Sequence, residues 1–382
     1  MRRLIGTLRA AQSASIPTTR CSKPRRVVAP NLIYYVSILV FLPLGCSSNR
    51  IDVGQPLARS GDEIVVCGQY FHTGAPVVLW TDPGGYDAYR VEKRFVSWDK
   101  AAWTPDSAAP SSTPNRYGIR FAEKGRGPGG AGNALDPEVF ERVRGGGWDL
   151  ASLRQVVDQF VIHYDVCGTS RQCFRVLHDV RGLSVHFMLD VDGTIYQTLD
   201  LKERAWHATT SNDRSIGIEI AHIGAYPLDV TSAASGNLPA TLKAWYAVDN
   251  FAPPGQRVRM TLPPSMGDGG IRTPNFIARP ARDEPTFGVI QGQMLAQYDL
   301  TPQQYDSLIK LTASLCTVLP NIRCDYPRDQ QGQLITDKLP DAQLAEYHGL
   351  LGHYHIQDNK ADPGPAFDFG HVVAEARRLM KR

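Results

Sequence analysis

The stretch from Gly352 to Phe369 reads GHYHIQDNKADPGPAFDF, and His353, Lys360 and Asp362 place an imidazole, an ammonium and a carboxylate ahead of a Pro-Gly-Pro. Asp362 directly precedes Pro363, which pushes its backbone toward extended geometry, and Pro363, Gly364 and Pro365 fix the turn that follows. In an extended segment residues two apart face the same side, so Lys360 is expected to point where Asp362 points. His353 lies nine positions before Asp362, a spacing that suits two metal ligands joined by a loop better than one helical turn. Zinc takes His nitrogen and carboxylate oxygen at roughly 2.0–2.2 Å, and a catalytic zinc typically has three protein ligands and a water. The third ligand must come from elsewhere. Read alone, the stretch is equally a polar surface loop ahead of a final helix.

Other stretches carry compatible chemistry. Ser215 to Ala221 alternates cleanly, with three isoleucines on one face and Ser215, Gly217, Glu219 and Ala221 on the other. Small residues flank a single carboxylate there, so the backbone is expected to lie open to a bound group with Glu219 standing over it. Phe160 to Tyr164 is apolar on both faces, as in a central strand, and carries His163 at its end. A histidine in such a place is more often a satisfied core group than a ligand. His186 lies on another alternating run, where it can line the site or pack in the sheet. Trp206 and His207 form a loop pair able to hold a sugar or a peptide, or else a packed indole beside a surface imidazole.

These groups need a framework, and the sequence supplies one. Asp149 is placed to cap a helix through Leu153, Val156 and Val157. Ser184 to Asp190 and Thr194 to Leu199 flank Asp192-Gly193, a hairpin signal. Thr301, Pro302 and Gln304 open a helix with a capping-box pattern and an apolar stripe at Leu308, Leu311 and Leu315. A last helix starts near Asp368. Toward the N-terminus, Glu63 to Phe71 and Pro76 to Thr81 look like strands, with a turn at Asp82-Pro83-Gly84-Gly85. Residues 105–133 and 224–300 are rich in Pro and Gly and read as irregular, the second as an insertion projecting near the site.

With 382 residues and 42% hydrophobic content, the chain can bury a substantial core. The formal charge of +3 misleads, because residues 1–45 hold seven Lys/Arg and no Asp/Glu, leaving 34 basic against 38 acidic residues in the remainder. A nucleic-acid partner normally leaves a basic footprint, so that class is excluded. The early arginines followed by the apolar run Leu32 to Leu42 read as an export signal, too short to span a bilayer comfortably. Its ending LPLGC resembles a bacterial lipobox, in which Cys46 would be lipidated, with Pro43 where that pattern usually has Leu. Ordinary cleavage nearby is the alternative. Export to an oxidising compartment makes two short-loop disulfides, Cys167 with Cys173 and Cys316 with Cys324, the simplest pairing, although sequence alone does not fix connectivity. Cys67 is expected to be a buried thiol.

Taken in order, HYD, SVHFMLDVDG, AWHA, SIGIEI and GH followed by KADPGPAFDF resemble the zinc-dependent N-acetylmuramoyl-L-alanine amidases of the AmpD/AmiD type, related to the peptidoglycan recognition proteins. The resemblance covers roughly residues 148–382 apart from the insertion. It implies an α/β fold with a central mixed β-sheet flanked by helices and a zinc site in a surface cleft. It implies that His163, His353 and Asp362 bind zinc, with Glu219 and Lys360 as the catalytic pair; Trp206, His207 and His186 are the candidates for substrate contact from their own stretches. The Cys167 to Cys173 loop is similar to a disulfide loop of the recognition proteins. Family members usually read GH-x-D-I with a proline before the lysine. This chain has Tyr354, His355 and Ile356 there, which makes His355 a rival ligand to Asp362. The expected organisation is an export signal at 1–45, an N-terminal extension at 46–147 and the amidase domain at 148–382. The expected product is an envelope enzyme, in the periplasm or anchored to a membrane through Cys46, that cuts peptidoglycan or muropeptides. Two alternatives are a recognition module that binds muropeptides without cutting, and a metal hydrolase acting on a different amide.

Overall fold

The computed structural model describes residues 53–89, 117–118, 148–228 and 237–381. The expected export signal at 1–45, Cys46 and all but two residues of the stretch at 105–133 lie outside them. The described elements belong to the unit Leu57–Arg382. Its strands are β1 (Glu63–Val66), β2 (Gln69–His72), β3 (Val77–Leu79), β4 (Tyr117–Gly118), β5 (Gln159–Tyr164), β6 (Phe187–Leu189), β7 (Ile195–Gln197), β8 (Arg204–Ala205), β9 (Ser215–Ile220), β10 (Tyr226–Pro227), β11 (Tyr246–Val248), β12 (Val258–Met260), β13 (Thr286–Ile290), β14 (Gln293–Gln297) and β15 (Gly349–Gly352). The helices are α1 (Leu150–Val156), α2 (Ser170–Phe174), α3 (Ala240–Trp245), α4 (Pro302–Val318), α5 (Asp341–Glu346) and α6 (Phe369–Met380).

Six strands form the central sheet in the order β15-β5-β9-β6-β7-β3. β15, β5, β9 and β6 run parallel, and β7 returns antiparallel to β6. β3, from the N-terminal extension, pairs parallel to β7 and closes one edge. The expected mixed sheet is present, and the extension is part of it.

Strand alternation decides what each face does. Phe160, Ile162, Ile216, Ile218 and Ile220 are fully buried in one cluster with Leu308, Leu311 and Leu315 of α4 and Val372 and Val373 of α6. At about 1.5–3 kcal/mol per fully buried large apolar side chain, this layer is the main term holding sheet to helices. The opposite face carries Val161 and His163 on β5, and Gly217 and Glu219 on β9. Toward β7 that face packs Met188 and Tyr196 against Cys173 and Phe174 of α2.

Local signals set the helix ends. Asp149 accepts from the Ser152 amide at 2.7 Å, and Asp368 from the His371 amide at 2.8 Å. Thr301 and Gln304 complete the reciprocal capping box of α4.

Three expectations are corrected. The run Glu63 to Phe71 is a hairpin, broken where Cys67 and Gly68 take positive φ of 50° and 74°. Cys67 therefore sits half-buried at a turn, with its amide bonded to Asp200, instead of deep in a strand. The region 224–300 is not irregular throughout, because β10, β14 and β13 form a three-stranded sheet and β11 and β12 a hairpin.

Behind the sheet, Arg214 Nε lies 2.6 Å from Asp158 Oδ1, and its other nitrogens reach the carbonyls of Ala345 and Tyr347. Both side chains are buried, and without Arg214 the Asp158 carboxylate keeps only the His348 imidazole, 3.1 Å away, as a charge partner. Arg214→Ala is expected to cost about 3–5 kcal/mol, measured by chemical denaturation; a loss under about 1 kcal/mol would mean that the pair behaves as a surface contact.

Candidate metal centre

The parallel strands β15, β5 and β9 end together, and their register brings the candidate residues to one edge. His163 pairs with Glu219 across β5 and β9, and Gly352 pairs with Ile162, so His353 leaves β15 directly beside His163. The carboxyl ends of parallel strands are where open α/β sheets place their ligands. Asp362 returns to this edge through the loop after β15, where Tyr354 N donates to Asp362 O at 3.2 Å. The Asp362–Pro363 peptide bond is cis.

Three donor atoms converge. His163 Nδ1 lies 2.8 Å from Asp362 Oδ2, His353 Nδ1 lies 3.0 Å from the same oxygen, and the two Nδ1 atoms are 3.0 Å apart. All three side chains are buried. Bonds of about 2.0–2.1 Å in a tetrahedral zinc site would separate such donors by about 3.3 Å, so the triangle fits that ion with little movement. Burial together with the neighbouring His353 pushes His163 down to about 4, which keeps it neutral and able to donate a lone pair. Burial alone would raise the Asp362 carboxyl, but the two imidazoles hold it well below the usual range, as an anion. A second cluster, Asp62, Glu63 and His72, also gathers donors among the described residues. There the carboxylates are occupied by the Ser60, Gly61 and Gly74 amides.

The outer nitrogens of both imidazoles are held. His163 Nε2 lies 3.0 Å from His207 Nδ1, and His353 Nε2 lies 2.7 Å from Gln357 Oε1. The loop itself is braced by the hairpin β13–β14. Gln291 donates to the carbonyls of Tyr354 and Gln357 at 2.7 and 3.1 Å. Gln297 donates to Pro363 O at 3.0 Å and accepts from Ala366 N at 2.9 Å. Gly364 has φ of +85°, and a Cβ there would meet Gln297 Oε1 at 2.2 Å, so only glycine allows this approach. Gln297→Ala leaves a buried carbonyl and a buried amide unpaired and is expected to cost about 1–3 kcal/mol. Urea unfolding measures it, and unchanged stability would contradict the brace.

Glu219 faces the same cleft. Its Oε2 is buried and has no hydrogen-bond partner among the described residues. Burial first, then the charges of Asp362 and Asp165, raise its pKa well above the ordinary carboxyl value, with Arg181 and Lys360 opposing. The cleft has a volume of about 520 Å³, and Lys360, Arg181, Arg204 and Trp206 share its lining with the donor triangle. The Arg204 guanidinium lies over the Trp206 ring at 4.5 Å.

The structure thus brings together His163, Glu219, His353, Lys360, Asp362, Trp206 and His207. His186 is not among them, correcting its expected place toward substrate. It is fully buried, accepts from Gly217 N at 3.1 Å and reaches Glu203 O at 2.9 Å. It takes over the β9 ladder just before β6 begins at Phe187, opposite Ile218. What lies on Gly217 is the His207 ring, where the sequence suggested a bound group: a Cβ at 217 would come within 2.5 Å of it. His355 is excluded as a ligand, because Nδ1 accepts from Gly352 N at 2.8 Å and Nε2 reaches Ile335 O at 2.7 Å. The two expected pairs, Cys167 with Cys173 and Cys316 with Cys324, carry no sulfur–sulfur bond in this structure. Cys316 and Cys324 hydrogen-bond to each other. Burial and nearby carboxylates push the Cys167 and Cys173 thiols up, away from the reactive thiolate. The supporting residues Gln291, Gln297 and Gln357 were not visible as such in the sequence. Only Gln357, four positions after His353, had a local cue.

Residues 153–257 match the family described as N-acetylmuramoyl-L-alanine amidase. That span holds His163 and Glu219, and the second ligand segment lies beyond it. No curated protein matches the chain. Among solved structures the chain is similar to a selenomethionine derivative of AmpD, with 18% identity over 58% of this chain and 86% of that one and a TM-score of 0.27. It is similar to the amidase AmiD from E. coli in complex with anhydro-N-acetylmuramic acid-L-Ala-D-γ-Glu-L-Lys, with 15% identity, 57% of each chain and a TM-score of 0.31. It is also similar to the endolysin amidase LysCS from Clostridium intestinale, with 16% identity over 59% of this chain and 86% of that one and a TM-score of 0.29.

Proposed function

Because this chain carries a domain of the N-acetylmuramoyl-L-alanine amidase family, we propose that it hydrolyses the amide joining the lactyl group of N-acetylmuramic acid to L-alanine in peptidoglycan or its fragments. The observation that carries the reading is the buried Nδ1, Nδ1, Oδ2 triangle opening on a cleft beside Glu219 and Lys360. His163, His353 and Asp362 would hold zinc. When bound, zinc supplies Lewis acidity that makes water a competent nucleophile near neutral pH.

The remaining work falls to the chain's own side chains. Glu219, on the strand next to His163, takes the proton of the attacking water and delivers it to the leaving nitrogen of L-alanine, base first and acid second. Burial and the nearby charges of Asp362 and Asp165 raise its pKa, the direction that makes the carboxylate a stronger proton acceptor. The Lys360 ammonium faces the negative charge that develops on the amide oxygen as the carbon becomes tetrahedral. Arg181 suits the carboxylates of an acidic stem peptide, and Arg204, paired with Asp213, lies over the Trp206 ring in the same cleft.

The Arg-rich, apolar start of the chain supports export to the cell envelope, with Cys46 as a lipid anchor. Among the described residues no helix is long and apolar enough to cross a membrane. Mass spectrometry of digested sacculi tests the function. Free stem peptides beginning with L-alanine are expected. Zinc-loaded protein that leaves muropeptides intact would instead mark a recognition module, and products cut at another bond would mark a different amide hydrolase.

A further inference from the structure

Resting on the zinc reading, we propose that His207 is a positioning residue of the metal centre: with Ser215 behind it and Gly217 beneath it, it holds His163 in the tautomer that presents Nδ1 to the ion. A neutral imidazole has one N–H, and whichever nitrogen carries it cannot be a ligand. His163 Nδ1 is the atom in the donor triangle, so the proton must sit on Nε2, 3.0 Å from His207 Nδ1. For that bond to form, His207 Nδ1 must accept. Its own proton then sits on Nε2, 3.2 Å from Ser215 Oγ. The direction is therefore fixed along the whole line: His163 donates to His207, and His207 donates to Ser215.

The competing tautomer puts the proton on His163 Nδ1, where it would donate to Asp362 Oδ2 at 2.8 Å and block the ligand position. An acceptor held against Nε2 works against that state. The surroundings hold it. The amides of His207 and Ala208 both donate to Asn212 Oδ1, at 3.0 and 2.7 Å, which fixes the loop. The ring rests on Gly217, where a Cβ would lie 2.5 Å from both Nδ1 and Cε1. It meets His163 edge-on, with ring planes at 87°. The small residues Ser215 and Gly217 on the catalytic face of β9 are thereby explained: one supplies the outer acceptor and the other the room.

The test is zinc affinity of the full chain, by competition with a chromophoric chelator, with circular dichroism as a check of fold. His207→Leu is expected to bind zinc about 10–100-fold more weakly. His207→Asn, whose Oδ1 can stand in for Nδ1 as acceptor, is expected to recover most of the loss, a rescue that mere filling of space would not give. Ser215→Ala, which leaves the ring in place, is expected to weaken zinc in the same direction by a smaller factor. Unchanged affinity in His207→Leu, or equal loss in the Leu and Asn variants with fold intact, overturns the proposal. If His207→Leu fails to fold, the Asn and Ser215→Ala variants decide: Ser215→Ala as tight as the parent overturns it. A parent protein that binds no zinc contradicts the metal reading itself, whereas a parent that binds while the variants match it contradicts only the role of His207.

Discussion

Glu219→Gln should keep its zinc and lose amidase activity. The substitution preserves shape and hydrogen-bonding capacity but removes the group that accepts the water's proton, and positioned acid–base groups contribute about 10²–10⁴-fold. Because Glu219 is not one of the triangle's three donors, metal content is expected to stay at the parent level. The loss should fall on kcat, since the proton moves only as the transition state forms. Metal analysis and sacculus digestion of the same preparation read both quantities. Activity within a few-fold of the parent would remove Glu219 from the chemistry, and loss of zinc alongside activity would recast it as a ligand.

The second large effect is expected from Asp362→Ala. Asp362 Oδ2 is the one atom that both imidazoles touch, and it supplies the negative charge that balances a divalent ion. Without it the ion keeps two neutral ligands. The fall in zinc affinity should exceed the roughly 10–100-fold that loss of an outer partner costs, and activity should disappear with the metal at any ordinary zinc concentration. Equilibrium dialysis against buffered zinc measures the first and stem-peptide release the second. His355 is no reserve ligand, because both of its ring nitrogens are committed to backbone groups. Zinc retained at parent affinity in Asp362→Ala would place the ion elsewhere.

Much of this site could be read from the sequence because its cues are local. The alternation of Ser215 to Ile220 put Glu219 on a face with small residues, and the pairing of β5 with β9 set it beside His163. Caps at Asp149, Thr301 and Asp368 announced their helices with one or two side chains each. What stayed hidden depends on partners far apart in the chain. His207 reaches His163 across 44 positions, and Gln297 reaches Pro363 across 66, so neither role leaves a trace in its own neighbourhood. β13 and β14 were missed for a different reason. Their turn, Gln291-Gly292, has positive φ at both residues, 52° and 71°, a conformation usually signalled by Asn or Asp at the first position. His186 and His355 show the converse error. A histidine near a site looks like chemistry in a sequence, yet both spend their nitrogens on backbone hydrogen bonds.

Diffraction from zinc-bound crystals, recorded on both sides of the zinc absorption edge, tests the central claim most directly. A single anomalous peak is expected at bonding distance, about 2.0–2.2 Å, from His163 Nδ1, His353 Nδ1 and Asp362 Oδ2. A peak at Asp62, Glu63 and His72 instead, or none within the triangle, would contradict it.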